Sequence, residues 1–265
     1  MLVIAERINS SRASIAEAML ASDRAFIQQE AMAQVAAGAH YVDVNAGALE
    51  GRETDRLKWA VDAVQEVIDA PLCIDSPDPQ VIRDILPMVR VRPVMINSIT
   101  LEPARLERIL PLVAEYGAKV VGLCQSEDAM ADTADARVEL AGRLVEKVAA
   151  AGIPIESLYI DPLVYPLGTG TASTLATLDA IERIMREYPG VHTTCGLTNV
   201  SYGLPNRRLI NRTFLVSCVM RGLDSAIIDP TDKQLYGALK ASLMIAGRDE
   251  FCVGYIRAFR TGRLE

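Results

Sequence analysis

The sequence predicts a single (β/α)8 TIM barrel, an α/β fold in which parallel strands alternate with helices. Short apolar runs recur at intervals of about 30 residues, the length of one strand–helix unit. These runs are apolar throughout rather than alternating, as expected of parallel strands that are buried on both faces. Several of them stop on Asp or Asn, as Leu158–Asp161 does. A doubly wound open sheet has the same periodicity and is the alternative fold.

The predicted strands follow these apolar runs. They span residues 2–8, 41–44, 94–96, 119–123, 193–197 and 225–228, and two further strands begin at Leu72 and Leu158. Gly38, Gly117 and Gly222 each stand between the end of a helix and the next strand. We expect these glycines to cap helices at the bottom of the barrel.

Capping residues and chain breakers bound the predicted helices. Asp23 caps the first helix, Pro71 ends the second, and Gly117 closes the helix that begins at Glu102. The helices span residues 23–37, 57–68, 78–88, 102–116, 134–151, 174–188, 206–220 and 232–246, with a longer connection at 125–133 and a short tail. No Pro-, Gly- or Ser-rich linker divides the chain, so residues 1–265 are predicted to form one domain.

Composition and charge exclude several classes of function. Half of the residues are hydrophobic, which provides for a large core, and the formal net charge is −7. An acidic chain without a basic stripe argues against nucleic acid and against anionic membranes as partners. We find no basic leader and no apolar run of about 18 residues, so we expect a cytoplasmic protein.

Cysteine and histidine are placed away from catalytic positions. The five cysteines have no Cys-x-x-Cys spacing and lie mostly in apolar runs, which predicts buried, reduced thiols. The two histidines, His40 and His192, each precede a strand and therefore belong to the side of the barrel where strands begin. A zinc site or a catalytic triad built on histidine is not expected.

Acids and amides cluster at the carboxyl ends of the predicted strands, where barrels place functional groups. The set is Glu6, Asn9, Asp43, Asn45, Asp75, Asn97, Gln125, Asp161, Asn199 and Asp229. No lysine or histidine is expected there, so the site lacks the usual base and nucleophile. Carboxylates and carboxamides suit a flat, nitrogen-rich heterocycle, and they also suit Mg²⁺. Any single Asp or Asn can instead serve only as a helix cap or turn residue.

The stretch at residues 196–208 places an amide, Asn199, at a strand end and an arginine, Arg207, at the start of the next helix. Helix N-termini favour anions, so an arginine gains little there from the helix dipole. Arg207 can therefore be either a functional residue or a simple surface residue. The planar guanidinium can stack on a heteroaromatic ring.

Several motifs together closely resemble the methyltetrahydrofolate:corrinoid methyltransferases of the pterin-binding barrel superfamily. They occur in order over essentially the whole chain: Glu6-Arg7-Ile8-Asn9, Ile74-Asp75-Ser76, Met95-Ile96-Asn97-Ser98, Tyr159-Ile160-Asp161-Pro162-Leu163, Gly196-Leu197-Thr198-Asn199-Val200-Ser201, Asn206-Arg207 and Leu209-Ile210-Asn211-Arg212-Thr213-Phe214. The resemblance implies a methyltransferase that moves a methyl group between N5 of tetrahydrofolate and the cobalt of a corrinoid.

The resemblance also implies site residues and partners. Asp75, Asn97 and Asp161 are expected to bind the pterin edge, Asn199 to act at N5, and Arg207 to lie near the ring. The remaining residues of the expected pterin site are Glu6, Asp43, Asn45 and Ser98. Tetrahydrofolate or 5-methyltetrahydrofolate is the implied substrate, and the implied assembly is a homodimer. A separate corrinoid protein is expected to bring cobalamin or another corrinoid, because the chain has no Asp-x-His-x-x-Gly motif. No bound metal is expected. Tyr202 departs from the small polar residue or Gln expected at its position.

Three other functions remain open from the sequence. Dihydropteroate synthase would use the same barrel and pterin pocket, but no phosphate-binding Gly-rich loop is evident. A folate-binding subunit without catalysis would need the pocket alone. A Mg²⁺-dependent aldolase or lyase would use the same carboxylates as metal ligands.

Overall fold

The structure is a computed structural model that describes residues 1–126 and 131–264. Its strands are β1 Leu2–Asn9, β2 Tyr41–Asn45, β3 Leu72–Asp75, β4 Met95–Ile99, β5 Lys119–Leu123, β6 Leu158–Asp161, β7 His192–Thr193 and β8 Ser225–Ile228. All pairings are parallel, and neighbours follow chain order from β1 to β7, with β8 beside β1. The predicted (β/α)8 barrel is therefore confirmed, and the doubly wound sheet is excluded.

The seam between β7 and β8 closes the barrel, and there the predicted strand 193–197 is wrong. β7 ends at Thr193, and the chain then turns into a 3₁₀ helix at Leu197–Ser201. One bridge joins Gly196 to Ile227, and the Ile227 amide donates to the carbonyl of Cys195 at 3.0 Å. Because the chain leaves the sheet after β7, Asn199 lies on a turn at the barrel mouth.

The helices pack outside the sheet. They are α1 Ala13–Ala21, α2 Arg24–Ala36, α3 Glu53–Gln65, α4 Pro79–Ile85, α5 Pro103–Tyr116, α6 Ala134–Ala150, α7 Thr171–Glu187, α8 Arg207–Met220, α9 Lys233–Ile245 and α10 Val253–Arg260. None of the described helices is long and apolar enough to cross a membrane.

Most predicted helices are confirmed, with two additions. Asp23 caps α2 by accepting from the Phe26 amide at 3.1 Å. No helix is predicted from the sequence at α1, and a short tail is predicted where α10 forms. Of the predicted connection at 125–133, residues 127–130 lie outside the described residues.

The barrel interior holds one layer of packed side chains beneath the mouth. Ile4, Tyr41, Cys73, Met95, Val121 and Tyr159 form this interior layer. Because side chains alternate along a strand, the residue two positions further on also faces inward. These next residues include Glu6, Asp43, Asp75, Asn97 and Asp161. The apolar layer therefore fixes both the direction and the depth of the polar groups above it.

The side of the barrel where strands begin carries the histidines, as predicted. His192 Nδ1 lies 2.6 Å from Asp224 Oδ2, and the other carboxylate oxygen accepts from the Thr193 amide at 2.9 Å. His40 Nδ1 accepts from the Val3 amide at 3.0 Å. Asp224 thus supplies part of the hydrogen bonding that the short β7 lacks at the seam.

Replacing Asp224 with Ala tests this bracing of the seam. The change leaves the Thr193 amide without its acceptor, so we expect the free energy of unfolding to fall by about 2 kcal/mol in urea titrations. The exposed Asp69, replaced in the same way, serves as the control and should change stability by less than about 0.5 kcal/mol. Equal effects of the two substitutions would contradict the bracing role.

Candidate active site

Polar residues lie at one level on four neighbouring strands, at the last residue of β1, β2 and β3 and within β4. In the strand register Asn9 pairs with Asn45, Asn45 with Asp75, and Asp75 with Asn97. On the far side of the mouth, Leu123 pairs with Asp161. The predicted convergence of these groups at the carboxyl ends of the strands follows directly from this register.

These groups line a cavity of about 990 Å³ at the barrel mouth. Seven of the predicted site residues line it: Glu6, Asp43, Asp75, Asn97, Asp161, Asn199 and Arg207. Asn45 and Ser98 are not among the lining residues. Asn45 Oδ1 instead accepts from the Gly47 amide at 2.9 Å, and the carbonyl of Ser98 accepts from Arg105 Nε at 2.7 Å.

Asp43, Asp75, Asn97 and Asp161 form the floor of the cavity, and burial strongly raises the pKa values of its carboxyl groups. Desolvation raises the pKa of Asp75 to about 6 and that of Asp161 to about 6. Desolvation, and then the charge of Asp229, raise the pKa of Glu6 to about 7. The pKa of Asp43 is raised well above its ordinary value, first by burial and then by the nearby Asp75. Such perturbed acids in a cleft are typical of functional sites.

Asp43 has an unsatisfied acceptor. Its side chain is 2% exposed, and its Oδ1 atom is buried without a hydrogen-bond partner. A buried acceptor without a donor is costly, and a ligand with N–H groups would satisfy it. The cavity floor therefore fits a heterocycle that carries hydrogen-bond donors.

Asp161 is held by the backbone on both sides. Its Oδ1 accepts from the Leu163 amide at 2.8 Å, and its Oδ2 accepts from the Gly196 amide at 3.3 Å. The first bond forms a turn after β6, and the second joins β6 to the chain that follows β7. Asp161 thus acts as a turn residue and also lines the cavity, so the two interpretations of this residue are compatible.

Arg105, on α5, fixes the ends of β3 and β4. Its guanidinium donates to the carbonyls of Ser98 and Ser76, at 2.7 and 2.9 Å, and to that of Pro77. Three backbone acceptors on one rigid, planar group hold the two strand ends in a fixed relation. Asp75 and Asn97 lie at these ends, so Arg105 positions them without lining the cavity.

The turn at Leu197–Ser201 carries Asn199 and is clamped by Arg207. The Arg207 Nε donates to Ser201 Oγ at 3.0 Å, and its terminal nitrogen donates to the carbonyl of Thr198 at 2.9 Å. On the cavity side, Thr198 Oγ1 lies 3.4 Å from Glu6 Oε2. Asn199 itself is exposed at the cavity wall. The side-chain amide of Asn199 is therefore carried by a turn that Arg207 stabilises.

Several cavity residues were not predicted as site residues. Arg12, Thr198, Asn211, Arg212 and Lys233 all line the cavity. Lys233 is the first residue of α9, as predicted, and from that position it lines the cavity at its rim rather than at a strand end. The α-helices of a barrel begin at the mouth, so their first residues can line the cavity, and strand-end patterns do not reveal these residues. Within residues 1–126 and 131–264, no three His, Cys, Asp or Glu side chains are grouped so that they could hold a metal ion.

Comparison with known proteins identifies the class. The pterin binding enzyme family model matches residues 5–229. A solved dihydropteroate synthase from Xanthomonas albilineans, in complex with 7,8-dihydropteroate, superposes with a TM-score of 0.70 at 18% identity over 92% of each chain. This structural likeness concerns the fold alone. The chain belongs to the pterin binding enzyme family.

Two curated relatives refine this assignment. Methylcorrinoid:tetrahydrofolate methyltransferase of Eubacterium limosum is 36% identical over 266 residues, which cover 100% of this chain and 98% of that protein. Methionine synthase of Mycobacterium leprae is 33% identical over 241 residues, or 86% of this chain and 20% of that protein. Within the pterin binding enzymes, the chain groups with the methylcorrinoid:tetrahydrofolate methyltransferase. The resemblance inferred from the motifs is confirmed.

Replacing Asp75 with Asn tests the electrostatics of the floor. Burial raises the pKa of Asp75 to about 6, so its stabilising contribution is present below the unfolded-state value near 4 and is lost as the pH rises through about 6. The neutral variant avoids this loss. Its stability advantage over the wild-type protein should grow by roughly 2 kcal/mol between about pH 4 and pH 8 in urea titrations without ligand.

The surface residue Asp69, replaced with Asn, controls for the general effect of removing a carboxylate. A stability difference for the Asp75 variant that does not change with pH would show that Asp75 is not held in a desolvated site.

Proposed function

We propose that this protein is an enzyme that moves a methyl group between N5 of tetrahydrofolate and the cobalt of a corrinoid carried by a separate protein. The observation that carries the proposal is the full-length similarity to methylcorrinoid:tetrahydrofolate methyltransferase. The cavity supports it, because its buried acids and amides offer acceptors to the N–H groups of a pterin.

In this proposal the floor binds the pterin edge. Asp75, Asn97 and Asp161 accept and donate hydrogen bonds along the ring, and Asp43 adds the buried acceptor that lacks a donor. Rigid strands hold these groups, so the ring is bound in one orientation and N5 points towards the open mouth. Glu6 lies on the wall between Thr198 and Asp229.

Asn45 and Ser98 have a supporting role in this account. The Asn45 side chain hydrogen-bonds to Asp75, and Ser98 offers its carbonyl to Arg105. Both residues therefore position the floor from outside the cavity.

Asn199 is the proposed catalytic residue. Tetrahydrofolate with a substituted N5 is a poor leaving group unless N5 is protonated or strongly hydrogen-bonded as the bond to the methyl group breaks. An amide on the cavity wall can supply that hydrogen bond. Arg207 holds the turn of Asn199 through Thr198 and Ser201, and it also lines the cavity, where its guanidinium can contact the ring.

The corrinoid supplies the cobalt centre that accepts or donates the methyl group. The chain must leave its mouth open to a partner that carries this centre. Tyr202 and Leu209 are 68% and 56% exposed, and they flank the residues of the turn and of α8 that line the mouth. These two side chains support the proposal that a corrinoid protein docks at the mouth.

A cytoplasmic setting is part of the same proposal, and the free thiols of all five cysteines support it.

The direct test mixes the purified protein with methylcobalamin and tetrahydrofolate. Loss of the methylcobalamin spectrum, together with formation of 5-methyltetrahydrofolate, is the expected result. Tight folate binding without any transfer, to free cobalamin or to a methylated corrinoid protein, would favour a non-catalytic binding subunit instead.

Replacing Asn199 with Ala separates catalysis from binding. We expect kcat for methyl transfer to fall by roughly 100-fold, because a hydrogen bond made chiefly in the transition state is lost, while the Kd for tetrahydrofolate changes little. Asn206→Gly, at an exposed residue with a φ of 50° just before α8, is a matched control on the same segment. Equal losses of turnover and of affinity would assign Asn199 to binding only.

A homodimer is the proposed assembly, and an exposed apolar surface around α10 supports it. Ile245, Phe251 and Phe259 are 70%, 84% and 66% exposed, and Val253 and Ile256 lie between them in the sequence. We call these five residues the α10 patch. An exposed apolar patch of this kind marks an association surface. None of these five residues lines the mouth cavity, which the corrinoid protein must reach, so a second copy of the chain is the better occupant of the patch.

The double variant Phe251→Ser, Phe259→Ser tests the dimer. Size-exclusion chromatography with light scattering should show a dimer for the wild-type protein and a monomer for this variant, because the apolar anchors of the interface are gone. Leu175→Ser, at a residue of α7 that is 68% exposed, is the matched control and should remain dimeric. A wild-type monomer would contradict the proposal.

A further inference from the structure

Arg137, near the start of α6, is a buried arginine that lies outside the mouth cavity. The residue is 0% exposed. Its guanidinium donates to the carbonyls of Ala131 and Ser173 at 2.8 and 3.0 Å, and to the hydroxyls of Ser173 and Thr177 at 2.8 and 2.6 Å. These four acceptors are neutral, so none of them offsets the positive charge. A buried cation whose hydrogen bonds go to neutral groups keeps an electric field that acts on nearby acids.

Thr177, on α7, connects Arg137 to the turn that follows β6. The Thr177 hydroxyl accepts from Arg137, and it donates to the carbonyls of Leu163 and Ser173 at 3.1 and 3.0 Å. Leu163 has a φ of 65°, in the left-handed region, which a leucine adopts only where its surroundings hold it. The amide of Leu163 donates to Asp161 Oδ1 at 2.8 Å. Three hydrogen bonds in series therefore lead from Arg137 to the Asp161 carboxylate on the cavity floor.

The charge of Arg137 acts on Asp161 as well. Burial raises the pKa of Asp161 to about 6, whereas two backbone amides and then Arg137 oppose this rise. The other titratable groups that face Asp161, from the end of β5, from the loop after β6 and from the chain after β7, are Cys124, Tyr165 and Cys195. Burial raises the pKa of the first two, and a hydrogen bond with Cys218 raises that of the third, so all three are neutral near pH 7. Among the residues that the structure describes, Arg137 is therefore the charge that favours the ionised form of Asp161.

We propose that Arg137 is a positioning residue of the folate site, which orients the Asp161 carboxylate through Thr177 and supplies it with a buried countercharge. The inference rests on the proposed function, in which Asp161 binds the pterin edge. Each oxygen of this carboxylate accepts one backbone amide and has a second lone pair for the ring. Asn199 stands on a different turn, so the role of Arg137 concerns binding of the ring and not the chemistry at N5.

Replacing Thr177 with Val tests the orientation, because it removes the hydroxyl and nearly keeps the shape of the side chain. Calorimetry with tetrahydrofolate on the whole protein should show about tenfold weaker binding, since the turn no longer fixes the carboxylate. The kcat for methyl transfer from methylcobalamin should stay within about twofold of the wild-type value. Thr177→Ser, which restores the hydroxyl, should bring the Kd back to within about threefold of the wild-type value.

Replacing Arg137 with Gln tests the charge through the pH dependence of binding. Without the cation, Asp161 keeps its proton to higher pH, so a larger fraction of the site is protonated at pH 6. The loss of affinity relative to the wild-type protein should therefore be about threefold greater at pH 6 than at pH 8. The other floor acids titrate in both proteins and cancel in this comparison. A purely structural loss would be equal at the two pH values.

Arg183→Gln is the matched control. Arg183 also joins α7 to α6, because its guanidinium pairs with Asp135 at 2.5 Å, but it does not line the cavity. Its replacement should leave the affinity and the pH dependence of binding at the wild-type values.

Equal affinities of the Thr177→Val and Thr177→Ser variants would overturn the inference, and so would an effect of Arg137→Gln that is the same at both pH values. Folate binding and methyl transfer by the wild-type protein would then leave the proposed function standing. Absence of both in the wild-type protein would overturn both proposals. If Arg137→Gln does not fold, the two Thr177 variants decide the outcome.

Discussion

The burial of carboxyl groups at one level of a parallel barrel is the constraint on which the rest of the structure depends. The interior layer of apolar side chains fills the barrel, and strand alternation then directs the next residue of each strand to the mouth. Asp43, Asp75 and Asp161 are thereby desolvated, and their pKa values rise. The floor is electrostatically costly without a ligand, and N–H donors from a bound ring would offset that cost.

The site has one part built on strands and another built on a turn. Strand residues with fixed register form the floor, and Arg105 ties two of the strand ends together. Asn199 stands instead on a 3₁₀ turn at the weakest seam of the barrel, where β7 has only two residues. A rigid floor favours one ring orientation, and in the proposed function the turn stabilised by Arg207 places the Asn199 amide near N5.

The sequence was sufficient for the fold and for the floor because both depend on strand periodicity. Asp75, Asn97 and Asp161 end apolar runs, and parallel register alone brings such ends together. The rim could not be predicted in the same way, because Arg212 reaches the cavity through the packing of α8 against the barrel. The end of β7 was also misplaced: the apolar run through Leu197 resembles a strand, but the backbone leaves the sheet to form the Asn199 turn. Asn45 and Ser98 were expected in the pterin site, but they do not line the cavity. Asn45 hydrogen-bonds to Asp75, and Ser98 accepts from Arg105.

The central claim is that the buried acids accept hydrogen bonds from a pterin, and proton linkage measures this most directly. Carboxyl groups with pKa values of about 6 are partly protonated at pH 6, and accepting N–H donors lowers those values. Titration calorimetry with tetrahydrofolate at pH 6, in buffers of different ionisation enthalpy, should therefore show binding with a net release of protons. Binding with proton uptake, or no binding, would contradict the account.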